Sequence, residues 1–150
     1  MAAILWLTVL HQTNNTMLAD AKTFSSFSVD DIEAAKKFYA GALGLKVDQD
    51  EQMGNILTVH LSGGHFIVYP KPNHTPATFT VLNFVVDNID EAVNQLKEKG
   101  VNFESYDSEY LKTDDNNIFR GDGGFKGPSI AWFTDPAGNI LSVIEDKSGS

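Results

Sequence analysis

Hydrophobic and polar positions along the chain change their period twice, and both times in the same way. Segment 27–35 alternates like a strand and then takes helical spacing, and segment 84–92 repeats this pattern at an offset of 57 residues. Phenylalanine, valine, aspartate, isoleucine and alanine recur at matching places. The pattern predicts a duplicated unit in which a strand leads into a helix.

Each predicted helix has a start signal and a stop signal. Asp30 and Asp87 each stand three residues before an acid, which predicts that both cap a helix N-terminus. We expect helices over 31–41 and 88–99, with Gly100 ending the second. Their inward side chains are predicted to be Ile32, Ala35, Phe38, Tyr39, Ile89, Ala92, Val93 and Leu96.

Strands are predicted after each helix, separated by turn-forming residues. They cover 45–48, 56–61, 65–69, 101–104, 129–134 and 139–145. Ser62–Gly64 and Asp135–Gly138 are the turn sequences of the two halves. Each half is therefore expected to run β-α-β-β-β. Segment 105–128 is interpreted as a long loop, and a loop of that length is typically functional or mobile.

Several short motifs stand at fixed places in this duplicated pattern. They are residues 28–32, 38–39, 43–45, 86–88, Ala92 and 132–140, the last reading Trp-Phe-Thr-Asp-Pro-Ala-Gly-Asn-Ile. Together they resemble the vicinal oxygen chelate superfamily, which includes glyoxalases, bleomycin-resistance proteins and extradiol dioxygenases. The resemblance implies an α+β fold in which two βαβββ modules form a cupped mixed sheet around one cavity. We expect modules at about 22–71 and 78–146 within a single domain 17–146, followed by a tail, 147–150.

The same resemblance locates four positions where metal-using relatives carry a ligand, usually His or Glu. In this sequence they correspond to Phe24, Val68, Val81 and Ser142. Phenyl and isopropyl groups have no lone pair to donate, and a neutral serine is a weak ligand. We therefore expect no metal and no cofactor, which argues against glyoxalase, dioxygenase and metal-dependent fosfomycin-modifying activity.

Strand alternation predicts which side chains line the cavity. The ligand-binding candidates are Phe24, Ser26, Phe66, Val68, Phe79, Val81, Asn83 and Ser142. This wall is mostly apolar with a few polar groups, as in many ligand pockets. His60 and His65 are predicted to point to the opposite face, and His74 to be a solvated loop residue.

The long loop supplies the remaining candidates. Arg120 is expected at the cavity rim as a fixed positive group for an anionic substituent, with Tyr110 beside it. The glycine-rich segment 121–127 is expected to be either a flexible loop or a lid over the cavity mouth.

Composition limits the partners. The chain has 150 residues, a formal net charge of −9 and no cysteine. Nucleic acid and anionic membrane surfaces are excluded as partners because both need a basic face. The absence of cysteine excludes disulfides and thiolate chemistry and agrees with a cytoplasmic location.

Residues 1–16 are expected to lie outside the fold. A signal peptide would explain the apolar run 2–10, but no Lys or Arg precedes this run. An extension upstream of a domain that begins at Met17 is the alternative.

Three functions remain open. The first is metal-independent enclosure of an apolar or aromatic molecule, as in bleomycin-resistance-like sequestration, by a chain expected from the resemblance to be a homodimer. The second is a lyase, isomerase or dioxygenase-related enzyme with a non-standard site. Its acid–base group would come from Glu104, Asp107, Glu109 or Tyr110, with Glu109 and Tyr110 as the catalytic candidates. The third is an interaction domain with a vestigial cavity.

Overall fold

Within the described residues, two helices and seven strands follow one another in the predicted order, and one predicted strand of the second half is missing. The computed structural model describes residues 17–121 and 127–146. A short 3₁₀ turn at Leu18–Asp20 precedes the first strand. The strands are β1 (Ser25–Val29), β2 (Lys46–Asp50), β3 (Ile56–Leu61), β4 (Gly64–Pro70), β5 (Thr80–Val85), β6 (Ser129–Thr134) and β7 (Ile140–Glu145). The helices are α1 (Ile32–Lys36), which continues as a π-helical segment at Lys37–Ala42, and α2 (Ile89–Glu98). No helix within the described ranges is long and apolar enough to cross a bilayer.

The strands form two sheets with matching topology. The first has the order β1-β4-β3-β2, and the second has the order β5-β7-β6. In each sheet the first strand of the half pairs parallel with its last strand, and the other pairs are antiparallel. The predicted α+β class with duplicated modules is confirmed.

The predicted strand 101–104 is wrong. Only one bridge forms there, between Phe103 and Phe133, together with a hydrogen bond from the Glu104 amide to the Trp132 carbonyl. The chain then leaves the sheet, because the Tyr106 amide donates to the Thr113 hydroxyl and starts a separate hairpin.

Both helices are capped one residue later than predicted. The Asp31 carboxylate accepts from the Ala34 amide and the Asn88 side chain accepts from the Glu91 amide, each at 3.0 Å. Asp30 and Asp87 are not the caps, because the chain is still extended at Asp31 and Asn88. Each helix therefore begins one residue later than predicted, after an extended cap residue.

Most of the core lies on the face of each sheet that the helices cover. Phe27 and Phe66 stack at 5.6 Å, and Tyr39 from the π-helical segment meets Phe66 edge-on at 5.7 Å. In the second sheet Phe133 and Leu141 are fully buried together with residues of α2. Burial of these large side chains supplies the main stabilisation of both halves.

A buried carboxylate joins the two halves. One oxygen of Asp135 accepts from the amides of Ala137 and Asn139, and the other accepts from the Tyr39 hydroxyl at 2.7 Å and the Asn139 side chain at 3.0 Å. The Asn139 amide nitrogen also donates to the Ser28 carbonyl. Burial and the neighbouring Asp135 raise the pKa of Tyr39 well above its usual value. Tyr39 therefore stays a donor across the working pH range.

His74 bridges the same junction, so its prediction as a solvated residue is wrong. Its Nε2 lies 3.1 Å from the Ala137 carbonyl, and its Nδ1 lies 2.6 Å from the Ser28 hydroxyl. Because a carbonyl only accepts, Nε2 carries the proton, and in the neutral ring Nδ1 accepts from Ser28. The linker between the halves is thus held to both of them.

We predict that Tyr39→Phe lowers the free energy of unfolding by about 1–3 kcal/mol, because buried Asp135 loses a donor. Urea denaturation measures the change. Tyr110→Phe is the control, since Tyr110 is 88% exposed and its loss of a hydroxyl should leave stability unchanged. Equal stability of the two variants would contradict the importance of this hydrogen bond.

Candidate functional site

Each sheet has one face under its helix and one face turned away from it, which we call the helix-free face. In parallel β1 and β4, Phe27 pairs with Val68 and Ser26 pairs with Ile67, and paired residues share a face. Phe66 and Val68 are therefore in the helix-covered core with Phe27, where both are almost fully buried. The prediction that Phe66 and Val68 line the same wall as Ser26 is wrong.

The remaining ligand-binding candidates take different positions. Ser26, Asn83 and Ser142 lie on the helix-free faces, and Phe24 lies just before β1 on the same side as Ser26. Phe79 is exposed directly before β5. Val81 does not lie on the helix-free face, because it stands at a register shift between Thr80 and Leu82 and packs against the core.

The two hairpin histidines also lie on the helix-free face, contrary to their prediction. His60 pairs with His65 across a turn formed by Ser62 and Gly63, and the His65 ring stacks on Phe24 at 5.1 Å. His60 Nε2 is 2.7 Å from the Asp48 carboxylate. The alternation of side chains along the hairpin was predicted correctly, since His60 and His65 lie on the face opposite Phe66 and Val68. The prediction of which of these two faces the helix covers was wrong.

The four positions where metal-using relatives carry ligands do not form a metal site. Val68 lies in the core, and its helix-free neighbours on β4 are Ile67 and Tyr69, which offer no imidazole or carboxylate. The Ser142 hydroxyl is already bonded to Asn83. Among the described residues no group of three or more His, Asp or Glu side chains converges. These side chains do not fit a divalent ion.

A row of four side chains crosses the helix-free face of the second sheet. The strand registers align Asn83 with Ser142 and Ser142 with Trp132, and the Glu104 amide donates to the Trp132 carbonyl. Phe103 contacts Phe133 on the helix-covered side at 5.4 Å, so the next residue, Glu104, shares the face of Trp132. An amide, a hydroxyl, an indole and a carboxylate therefore stand side by side.

Two rings of the long loop pack against this row. Tyr106 meets the Trp132 indole edge-on, with centroids 5.4 Å apart, and Phe119 lies 6.5 Å away at 47°. The indole nitrogen donates to the Thr80 hydroxyl at 3.1 Å and is thereby fixed. Burial, and then the charge of Glu104, raise the pKa of Tyr106. The result is an aromatic corner with an acid beside it.

Sequence reasoning missed all three rings. Alternation along the predicted strand 129–134 could have placed Trp132 opposite the buried Ala131 and Phe133. Tyr106 and Phe119 lie in an irregular segment, where no periodicity indicates direction.

Arg120 fastens the long loop instead of standing as a separate cation at the rim. Its Nη atoms donate to both oxygens of Asp90 in α2 at 2.7 and 2.9 Å, and its Nε donates to Asp114 at 2.9 Å. Asp114 also accepts from the Ile118 amide, which places the Ile118 side chain in the core. The predicted role of Arg120, as a positive group for an anionic substituent, is thus taken up by two carboxylates of the chain itself.

The other loop candidates are not part of the aromatic corner. Glu109 and Tyr110 stand at an exposed hairpin tip, between residues whose backbones pair at Ser108 and Leu111. The predicted lid, 121–127, lies largely outside the described residues.

A separate cavity of about 440 Å³ opens on the helix-covered side, between the end of the π-helical segment and α2. Apolar side chains of Ala42, Leu43, Phe84, Ala92 and Leu96 line it. Its size falls within the range of small-molecule pockets, so it is a competing location for a ligand.

Comparison with protein families identifies the chain. The model of the Glyoxalase/Bleomycin resistance protein/Dioxygenase superfamily matches residues 22–143, and the chain belongs to this superfamily. A comparison of the sequence with curated proteins gives no significant match.

Solved structures with the same fold come from several bacteria. A glyoxalase family protein from Enterococcus faecalis is 21% identical, with a TM-score of 0.59 over 86% of this chain and 100% of that one. FosX, a fosfomycin resistance protein from Listeria monocytogenes, is 11% identical, with a TM-score of 0.61 over 87% and 96%. TnmS3, an antibiotic binding protein from a Streptomyces species, is 20% identical, with a TM-score of 0.58 over 85% and 98%. At these identities the likeness shows the fold.

We predict that Arg120→Gln releases the loop locally. Partial burial opposes ionisation of Asp114, but hydrogen bonds from the Ile118 amide and Arg120 outweigh it and lower the pKa of Asp114. Without Arg120 this pKa rises towards its ordinary value, and the Ile118 amide should exchange its hydrogen faster in NMR experiments. Because the folded pKa is lowered, the stabilisation is present above the ordinary carboxyl pKa and is lost as pH falls through the lowered value.

Lys112→Gln is the matched control for this prediction, since Lys112 is an exposed cation of the same loop. Unchanged exchange at Ile118 in Arg120→Gln would contradict the anchoring role.

Proposed function

We propose that the protein binds a small, flat organic molecule without a metal, on the helix-free face of the second sheet. The observation that carries this proposal is the row of Asn83, Ser142, Trp132 and Glu104, with Tyr106 packed edge-on against the indole. Aromatic surface supplies affinity and sparse polar groups supply orientation, which is the usual composition of such sites.

The end of the row at Asn83 suits a ligand that accepts a hydrogen bond. The Ser142 hydroxyl donates to the amide oxygen of Asn83 at 2.5 Å, which directs the amide nitrogen away from it. Within the described residues this nitrogen has no hydrogen-bond acceptor of its own. A ligand carbonyl or ring nitrogen would satisfy it.

Sequestration fits the described site better than catalysis. Of the acid–base candidates, Glu104 lies beside the aromatic corner, whereas Glu109 and Tyr110 stand at the exposed hairpin tip, so neither can act with Glu104 as an acid–base pair. The fold is shared with an antibiotic binding protein, TnmS3, which supports binding as a function of this architecture. A role as an interaction domain would require that no small molecule binds the row.

We predict that acridine, an uncharged flat probe in mildly alkaline buffer, binds the protein and that Trp132→Leu weakens this binding by about tenfold or more. Isothermal titration calorimetry measures the affinity. Trp132→Phe should lose less of the affinity for acridine, because it keeps an aromatic ring at the same place. Retained thermal stability of each variant shows that the fold persists.

Ala92→Leu is the matched control, because it narrows the cavity between the helices without touching the row. The affinity of the Ala92→Leu variant for acridine should equal that of the parent protein. Loss of binding in Ala92→Leu and not in Trp132→Leu would place the ligand in the other cavity and contradict the proposed site. Binding that depends on an added divalent ion would contradict metal independence.

We further propose that two copies of the chain associate through the exposed strip of β1 and β5. Phe24, Phe79 and Val85 are 61%, 68% and 77% exposed. Both strands are sheet edges, and they occupy equivalent places in the two modules. A two-fold axis could therefore set β1 of one copy against β5 of the other and cover these side chains.

We predict that Val85→Glu lowers the apparent mass in sedimentation velocity from that of a dimer to that of a monomer, because a carboxylate is costly to bury. Met53→Glu is the control, since Met53 is 64% exposed at the β2–β3 turn. A parent protein that sediments as a monomer at micromolar concentration would contradict the dimer.

A further inference from the structure

Glu104, the acid at the end of the row, has no role yet in binding the proposed ligand. Glu104 is half-buried, and the residue beside it across the sheet is Trp132. Within the described residues no salt bridge involves Glu104. The nearby cations are engaged elsewhere: Lys97 donates to Asn116 and lies over the Phe103 ring, and Arg120 binds Asp90 and Asp114. The carboxylate is thus left without a positive partner in this part of the chain.

The rings next to this carboxylate have the arrangement that attracts a cation. The indole of Trp132 offers the strongest π-face among the side chains, and Tyr106 stands at 86° to it, so the two rings meet at a right angle. Phe119 borders the corner on the loop side. A flat cation can stack on one ring and meet the edge or face of the other.

Charge near the corner favours a cation as well. Burial is the main cause of the raised pKa of Tyr106, and the charge of the neighbouring Glu104 raises it further. The net charge of −9 adds a field of the same sign over the whole surface. Both effects oppose an anionic ligand.

We propose that the site selects organic cations, specifically flat aromatic rings that carry a positive charge, with Glu104 as the residue that discriminates by charge. The ring stacks in the corner of Trp132 and Tyr106, and its charge lies beside the Glu104 carboxylate. This inference rests on the proposed function, since it assigns a ligand class to the same site.

A cationic and a neutral probe that share one flat tricyclic ring system test this proposal. N-methylacridinium is cationic, and acridine in mildly alkaline buffer is neutral and has nearly the same shape. Both are titrated into the Trp6→Phe protein, in which Trp132 is the single tryptophan, and quenching of its fluorescence reports binding. The cation should bind about tenfold more tightly than the neutral probe.

Glu104→Gln keeps the size and polarity of the side chain and removes its charge. It should weaken N-methylacridinium binding about tenfold and change acridine binding less than about twofold. Glu98→Gln is the matched control, because Glu98 is an exposed acid of α2 on the helix-covered side. Both variants change the net charge equally, so only a local effect separates them.

The outcomes distinguish the two proposals. Equal affinity for both probes, or equal losses in Glu104→Gln and Glu98→Gln, would overturn the selection of cations and leave the binding site standing. No quenching of Trp132 by either probe would overturn both proposals. Selective loss of the cation in Glu104→Gln alone supports the assignment.

Discussion

The buried carboxylate of Asp135 is the constraint on which the rest of the structure depends. It accepts four hydrogen bonds, two from the backbone of its own turn and two from the side chains of Tyr39 and Asn139. A charge can be held in a core only when its oxygens are satisfied in this way. The turn, the π-helical segment and, through Asn139, the first strand are thereby fixed together, and this sets how the second sheet stands against the first.

The duplicated architecture could be predicted because it is written in local patterns. The period change from strand to helix and the Asp-Pro-Ala-Gly-Asn turn are both short-range features. The face of β4 could not be predicted, because alternation separates Phe66 from Ile67 without saying which of them meets the helix. That choice follows from the parallel pairing of β1 with β4, which joins residues about forty positions apart in sequence.

The two sheets present equivalent rows that have diverged in chemistry. In the first sheet the row that contains Ser26 runs Ser26, Ile67, Thr58 and Asp48. The row at the same place in the second sheet runs Asn83, Ser142, Trp132 and Glu104. Each row ends in an acid, but only the second carries an indole. Asn83 and Ser142 were predicted as ligand-binding residues, and Glu104 only as one of four acid–base candidates. Its place in the row could not be predicted, because a single backbone bridge near Phe103 sets it. Tyr106 and Phe119 were missed, because they lie in a loop without periodicity.

The bonds of His74 have a consequence for how the protein assembles. Its ring connects the segment between the halves to Ser28 in one of them and to the Ala137 carbonyl in the other. An exchange of halves between two chains would have to open this segment and give up both bonds. Association of intact subunits is therefore expected in preference to a swapped arrangement, because a swapped arrangement would carry the extra barrier of losing both bonds.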